Sequence, residues 1–125
     1  GRETQVSGIA PILWDEDRKV DIARIANATA KLLECDLELS PSDILSSDEY
    51  IGDRYGVLTQ EGRDALKLVA ETEGIFLDPV YTSKAMAGMI DQIRKGIITK
   101  NETVVFIHTG GLPALFAYAE DLMLS

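Results

Sequence analysis

The period of apolar and polar positions changes several times along the chain, and each change marks an element. From Val6 to Leu13 apolar and small residues mix before Trp14-Asp15-Glu16-Asp17, which predicts a strand turning into a helix start capped by Asp15 or Asp17. Val20, Ile22, Ile25, Ala26, Leu32 and Leu33 then recur at helical spacing with Asp21, Arg24 and Lys31 between them. That pattern predicts a surface helix of about five turns with one packed face. Leu37 to Leu39 reads as a short strand, and Ser40-Pro41-Ser42-Asp43 combines a cap, a first-turn proline and an acid three positions after the cap, so a brief helical turn follows. Residues 46–56 are the most polar, loop-like stretch, and long loops on a packed scaffold tend to carry function. Thr59 caps the next predicted helix, whose Gly62, Ala65, Leu66 and Val69 share a face until Gly74 ends it. Ile75-Phe76-Leu77 reads as a buried strand or turn. After Asp78-Pro79-Val80-Tyr81-Thr82-Ser83-Lys84 comes a helix with Met86, Met89, Ile90 and Ile93 inward and Gly96 as its stop. Thr103-Val104-Val105-Phe106-Ile107 is a β-branched run that predicts a strand, followed by a glycine turn and a helix opening at Ala114. Alternating strand and helix patterns point to an α/β layer with parallel strands.

Composition narrows the function classes. At 125 residues and 46% apolar content the chain fits one globular domain, able to bury roughly two-thirds of its unfolded surface. A net charge of −9, from 21 acidic against 12 basic residues, argues against a nucleic-acid or anionic-membrane surface, because those need clustered Lys and Arg to displace counterions. Cys35 is the single cysteine, so neither an internal disulfide nor a thiolate metal site can form, and a metal is not expected. No apolar run approaches the ~18 residues of a membrane span, and the first residues show no signal-like stretch. The expectation is a soluble, cytoplasmic protein.

The turn His108-Thr109-Gly110-Gly111-Leu112-Pro113 has two readings. Paired glycines remove Cβ atoms where backbone approaches a ligand, and the helix beyond points N–H groups the same way; glycines also serve such turns for conformational reasons alone. The surrounding residues carry more. Glu73-Gly74-Ile75-Phe76-Leu77-Asp78-Pro79-Val80-Tyr81-Thr82-Ser83-Lys84-Ala85-Met86-Ala87-Gly88-Met89-Ile90 and Phe106-Ile107-His108-Thr109-Gly110-Gly111-Leu112-Pro113-Ala114-Leu115-Phe116-Ala117-Tyr118 closely resemble the D-cysteine desulfhydrase and 1-aminocyclopropane-1-carboxylate deaminase family of pyridoxal-phosphate enzymes. Arg54-Tyr55-Gly56-Val57 fits as well, because the family sets a tyrosine 26 positions before the tyrosine of its Asp-Pro-Val-Tyr motif, as Tyr55 precedes Tyr81. The resemblance is strong from Asp48 to Tyr118 and extends in element order from Val6.

The resemblance implies a fold type II architecture, of which residues 1–125 would be the C-terminal part of the large, cofactor-binding domain: a partial three-layer αβα arrangement with a mostly parallel sheet. It implies pyridoxal 5′-phosphate as cofactor, a small amino acid as substrate, and a homodimer for the full-length enzyme. Tyr81 and Tyr55 match the two active-site tyrosines, where a phenol can donate to or accept from the reacting amino acid; a half-buried aromatic is the bland alternative for each. Thr109 matches the residue whose hydroxyl meets the pyridine nitrogen in the desulfhydrase branch, with Gly110 and Gly111 letting backbone lie close to the ring. Thr82 stands at the cofactor-facing position where the deaminase branch has a glutamate. A neutral hydroxyl leaves the ring nitrogen less charged than a carboxylate does and stabilises a carbanion less, which favours expulsion of a thiolate over opening of a cyclopropane. The resemblance therefore leans toward elimination of sulfide from D-cysteine, giving pyruvate and ammonia, with 1-aminocyclopropane-1-carboxylate deamination as the alternative. The family's Schiff-base lysine, the serine and asparagine near it and the phosphate loop are not among these residues. Lys84 is expected to be solvated rather than to replace that lysine, and His108 to pack or hydrogen-bond rather than act as a base. A catalytically silent fragment is the leading reading; a small-anion-binding α/β module built on the 108–112 turn, and an interaction fragment without a ligand, are the rivals.

Overall fold

A computed structural model describes residues 4–14 and 17–123. In chain order the elements are β1 (Ser7–Ile9), α1 (Arg18–Leu32), a 3₁₀ turn (Pro41–Asp43), β2 (Leu45–Ser47), α2 (Gln60–Glu73), α3 (Thr82–Arg94), α4 (Ala114–Ala117) and α5 (Ala119–Met123). The α/β alternation is present, with β1 and β2 forming a two-stranded parallel sheet. The chain divides into two compact units: α1, the 3₁₀ turn, β2 and most of β1 make the first, and residues 9–13 with everything from Asp48 onward make the second.

In the first unit, Asp17 caps α1, its side chain accepting the Lys19 N–H at 3.0 Å. The alternative cap, Asp15, lies outside the described residues. The helix has 15 residues, about four turns rather than five, and its buried positions are Ala23 and Ala30. Val20, Ile25, Leu32 and Leu33 are exposed, so the apolar stripe exists in sequence but is largely uncovered. Residues 37–39 form no strand, because the Asn27 side chain takes both backbone groups of Leu39, donating to its carbonyl and accepting its N–H at 2.8 Å each. The 3₁₀ turn closes as its sequence predicts, with the Ser40 N–H donating to Asp43 Oδ2 at 2.7 Å. β2 falls at the edge of what reads as loop.

The second unit is organised by the packing of α2 on α3. Thr59 Oγ1 accepts the Gly62 N–H at 3.0 Å, and Gly74, at φ +66°, ends α2 in the left-handed conformation that favours glycine. Gly62, Ala65, Leu66 and Val69 are the buried positions of α2, the same four that its periodicity marks. Ala65, Leu66 and Val69 form the core with Leu77, Met86 and Ala87, and Met89, Ile90, Phe106, Leu115 and Leu122 pack against it. Ile93, expected inward, is half exposed.

Two further expected elements, a strand or turn at 75–77 and a strand at 103–107, are not strands. Residues 75–77 and 103–107 are irregular, although Leu77 is fully buried and Phe106 faces the core. Val105 and Ile107 on the same run are 81% and 74% exposed. A run apolar on both faces suits a strand covered on both sides, and a strand needs a hydrogen-bonded neighbour to exist as one. Among the described residues none supplies that ladder, so the mostly parallel sheet is reduced here to two short strands. Among the described residues no helix is long and apolar enough to cross a membrane.

Leu77 is the most completely buried apolar side chain of the core. Leu77→Ala should therefore lower the stability of the second unit by about 3 kcal/mol through lost burial and the cavity left behind, read as a fall in the urea midpoint at unchanged slope.

Candidate functional site

The site is assembled on the turn that begins α3. Asp78 is fully buried, and its carboxylate takes the free N–H groups of the helix start. Oδ2 accepts from the N–H of Val80 and of Tyr81 at 2.8 Å each, and Oδ1 accepts from the Thr82 N–H and the Thr82 hydroxyl at 2.7 Å each. The Asp78 N–H in turn donates to Thr82 Oγ1 at 2.7 Å, and the Ser83 N–H donates to the Asp78 carbonyl. Burial alone would push the Asp78 carboxyl up, but the hydrogen bonds from Thr82, Tyr81 and Val80 outweigh it and hold the carboxyl below its usual range.

This turn fixes Tyr81, whose side chain projects to the surface beside Tyr55. The two hydroxyls are hydrogen-bonded to each other, with ring centroids 6.0 Å apart and planes inclined by 59°. Tyr55's hydrogen bond holds the Tyr81 phenol above its ordinary pKa. The structure thus brings together the two tyrosines that lie 26 residues apart in sequence.

The 108–111 turn lies against the same corner. His108 Nδ1 accepts the Gly110 N–H at 3.1 Å, so Nε2 carries the proton and donates to the Phe76 carbonyl at 2.8 Å. His108 is a fastener between the 76 and 108 segments, as expected. Gly110 and Gly111 both sit at φ +90°, but for different ends. A Cβ on Gly110 would meet nothing within 4 Å, so this α-carbon faces open space. A Cβ on Gly111 would stand 2.7 Å from Asp78 Cγ, so packing on the carboxylate by itself requires glycine there. Thr109 is exposed between them and His108.

Thr82 is 1% exposed, and its hydroxyl is engaged with Asp78 as both donor and acceptor. The Thr82 hydroxyl thus closes the turn, while Thr109 is exposed. The expectation for Lys84 is corrected. It is 1% exposed rather than solvated, with Nζ donating to the Ile51 carbonyl at 2.6 Å, and burial pulls its pKa down. α4 has four residues, and the N–H groups of Ala114, Leu115 and Phe116 are bonded to the carbonyls of Gly111, Leu112 and Pro113, so the start of that helix adds no free donor to the turn.

Sequence reasoning missed the hub, Asp78, and also Tyr118, whose hydroxyl donates to the Gly56 carbonyl. For Asp78 a signal existed: an acid before proline at a helix entry, with a threonine four positions on, is a capping pattern. For Tyr118 none did, its partner being 62 residues away.

Tyr55 and Tyr81 in contact, Thr109 and the open face of Gly110 are among the groups left exposed around this corner. The chain belongs to the pyridoxal-phosphate-dependent enzyme family, whose model matches residues 3–110. Within that family it is similar to 1-aminocyclopropane-1-carboxylate deaminases: 41% identical over 119 residues to the enzyme of Rhizobium rhizogenes, covering 95% of this chain and 35% of that one. The Methylobacterium nodulans enzyme is 41% identical over 118 residues, covering 94% of this chain and 35% of the relative. A crystal structure of a 1-aminocyclopropane-1-carboxylate deaminase homologue superposes with a TM-score of 0.78 at 35% identity, over 94% of this chain and 34% of that one. The chain thus spans about a third of the length of these relatives.

The family's cofactor is pyridoxal phosphate, and the residues present fit its ring edge: Thr109 offers a hydroxyl, Gly110 an open face, and Tyr55 and Tyr81 offer hydroxyls that can give or take a proton. The first N–H groups of α4 are already bonded and offer nothing to its phosphate.

Asp78→Asn keeps the shape of the turn but replaces an acceptor pair with an amide that can satisfy only part of it. It should cost about 2 kcal/mol, measured by urea unfolding. Because the folded carboxyl is held low, the stability it contributes is present above its unfolded pKa of about 3.9 and is lost as pH falls through the lower folded value. Asp78→Asn should remove that part of the acid dependence.

Proposed function

We propose that this chain is the C-terminal part of the cofactor-binding domain of a pyridoxal-phosphate-dependent enzyme that deaminates a small amino acid to a 2-oxo acid. The observation that carries the reading is the hydroxyl contact of Tyr55 and Tyr81, two exposed phenols held together at the helix entry whose turn also receives Gly111. Bound pyridoxal phosphate would supply an electron sink for the charge that develops as a bond of the amino acid breaks: the Cα–H bond in D-cysteine, a ring bond in 1-aminocyclopropane-1-carboxylate, whose α-carbon carries no hydrogen. This chain's own part is to orient the ring through Thr109 and the Gly110 face and to hold or deliver a proton at the phenol oxygens of Tyr55 and Tyr81. The coverage of about a third of the relatives supports the incomplete-domain reading, as does the exposure of Val105 and Ile107 on a run built for burial. Among the lysines, Lys84 is the one nearest the motif tyrosine in sequence, and its amine is committed to the Ile51 carbonyl; the covalent anchor is assigned to the rest of the enzyme.

The relatives favour 1-aminocyclopropane-1-carboxylate as substrate, since the named enzymes at 41% identity are its deaminases. A second reading, elimination of sulfide from D-cysteine, is favoured by the lack of an available carboxylate at the start of α3: position 82 is threonine, and the Asp78 carboxylate is consumed by four donors. A weaker electron sink suffices to expel a thiolate.

The test is turnover by the purified native polypeptide with pyridoxal phosphate. Formation of 2-oxobutanoate from 1-aminocyclopropane-1-carboxylate selects the first substrate; pyruvate and sulfide from D-cysteine select the second. Tyr81→Phe and Tyr55→Phe should each lower kcat by about 10²-fold or more with folding unchanged; full activity in both would overturn the assignment. The 125-residue chain alone, treated with pyridoxal phosphate and borohydride, should carry no reduced adduct on Lys84, and a specific adduct there would overturn the incomplete-domain reading.

A further inference from the structure

Lys84 is a buried cation whose partner is a backbone carbonyl rather than a carboxylate, an expensive arrangement for core packing alone. Its position explains what it holds. Lys84, Gly88 and Asp91 recur at i, i+4 and i+7 on α3, and each meets the loop that leads to Tyr55. Lys84 Nζ donates to the Ile51 carbonyl at 2.6 Å, and Asp91 Oδ2 accepts from the Tyr50 hydroxyl at 2.6 Å. A Cβ on Gly88 would lie 3.1 Å from the Tyr50 ring, so glycine there lets the ring approach the helix. Farther on, Gly52 at φ +74° packs against the Thr59 methyl, and the Tyr118 hydroxyl holds the Gly56 carbonyl. The loop has no regular structure through residues 51–58, so its course is set by these attachments.

We propose that Lys84 is a positioning residue: its buried ammonium clamps the 50–56 loop onto the first turns of α3 and so sets the hydroxyl contact between Tyr55 and Tyr81. The same helix start then presents Tyr81 through Asp78 and receives Tyr55 through Lys84, which brings both phenols to one point from opposite sides of the sequence. The inference rests on the reading of the two tyrosines as the working groups of the site. Desolvation of the ammonium is the cost of the clamp, and it lowers the amine's pKa. Tyr81's raised pKa, caused first by Tyr55's hydrogen bond, makes the contact measurable without any cofactor.

The experiment is a pH titration of this chain, labelled at tyrosine Cζ and followed by carbon NMR, in which Tyr50, Tyr55, Tyr81 and Tyr118 are assigned by phenylalanine substitution. In Lys84→Met, which keeps length and removes the donor, the Tyr81 midpoint should fall toward the ordinary phenol value. Tyr55→Phe should produce the same fall, and the double variant no more than either alone. Where Lys84→Met does not fold, Lys84→Gln, whose amide stops one atom short of the ammonium's position, is titrated with the same two outcomes. A folded variant with a lowered thermal midpoint and an unmoved Tyr81 titration would make Lys84 a structural residue only and overturn the proposal. Because no cofactor or substrate is present, that failure is distinct from retention of turnover in the tyrosine variants, which would overturn the functional reading instead.

Discussion

The corner that holds the tyrosines depends on a single buried carboxylate. Asp78 sits with no exposed surface and would be costly as a bare anion, yet it receives three backbone N–H groups and one hydroxyl, each at 2.7 to 2.8 Å. Those donors are the ones a helix start leaves without partners, so the same bonds that pay for the charge also define where α3 begins. Tyr81 is consequently aimed by its backbone, and Gly111 is admitted because only a residue without a side chain can lie against the carboxylate.

The second phenol reaches the site by a different route. Tyr55 lies on an irregular loop, and irregular backbone keeps one shape only where side chains or packing over-determine it. Here the loop is tied to α3 through Lys84 and Asp91 and to Tyr118 through the Gly56 carbonyl. Tyr50's hydroxyl is pushed up to about 12 by its bond to Asp91, which makes it a firm donor over the ordinary pH range. Site geometry in this family member is therefore divided between a cap that orders Tyr81 locally and distant tethers that bring Tyr55 to it.

Legibility in the sequence followed the range of the interactions. The four buried positions of α2, its Thr59 cap and its Gly74 stop all follow from contacts within a helix or from one amphipathic face, and each was readable. Strands were less so. Val104 to Ile107 has every local mark of a strand, but a strand exists through its neighbours, and among the described residues the run has no ladder. Residues 37–39 failed for a related reason, the Asn27 amide having taken the backbone groups a strand would share. The α1 stripe was misleading as burial, since the helix buries only Ala23 and Ala30, which lie outside it.

By itself the sequence determined the family and the chemistry at hand, because the Asp78 to Lys84 and His108 to Pro113 strings and the spacing of two tyrosines are properties of residue order. Tertiary structure alone decided what each group is free to do. The Thr82 hydroxyl is shared with Asp78, Lys84 looks solvated until the Ile51 carbonyl is found 33 residues away, and Gly111 lies against the Asp78 carboxylate. The physical reason is that a polar group's availability is what remains after its hydrogen bonds are made, and here the deciding partners lie across a turn or across the core.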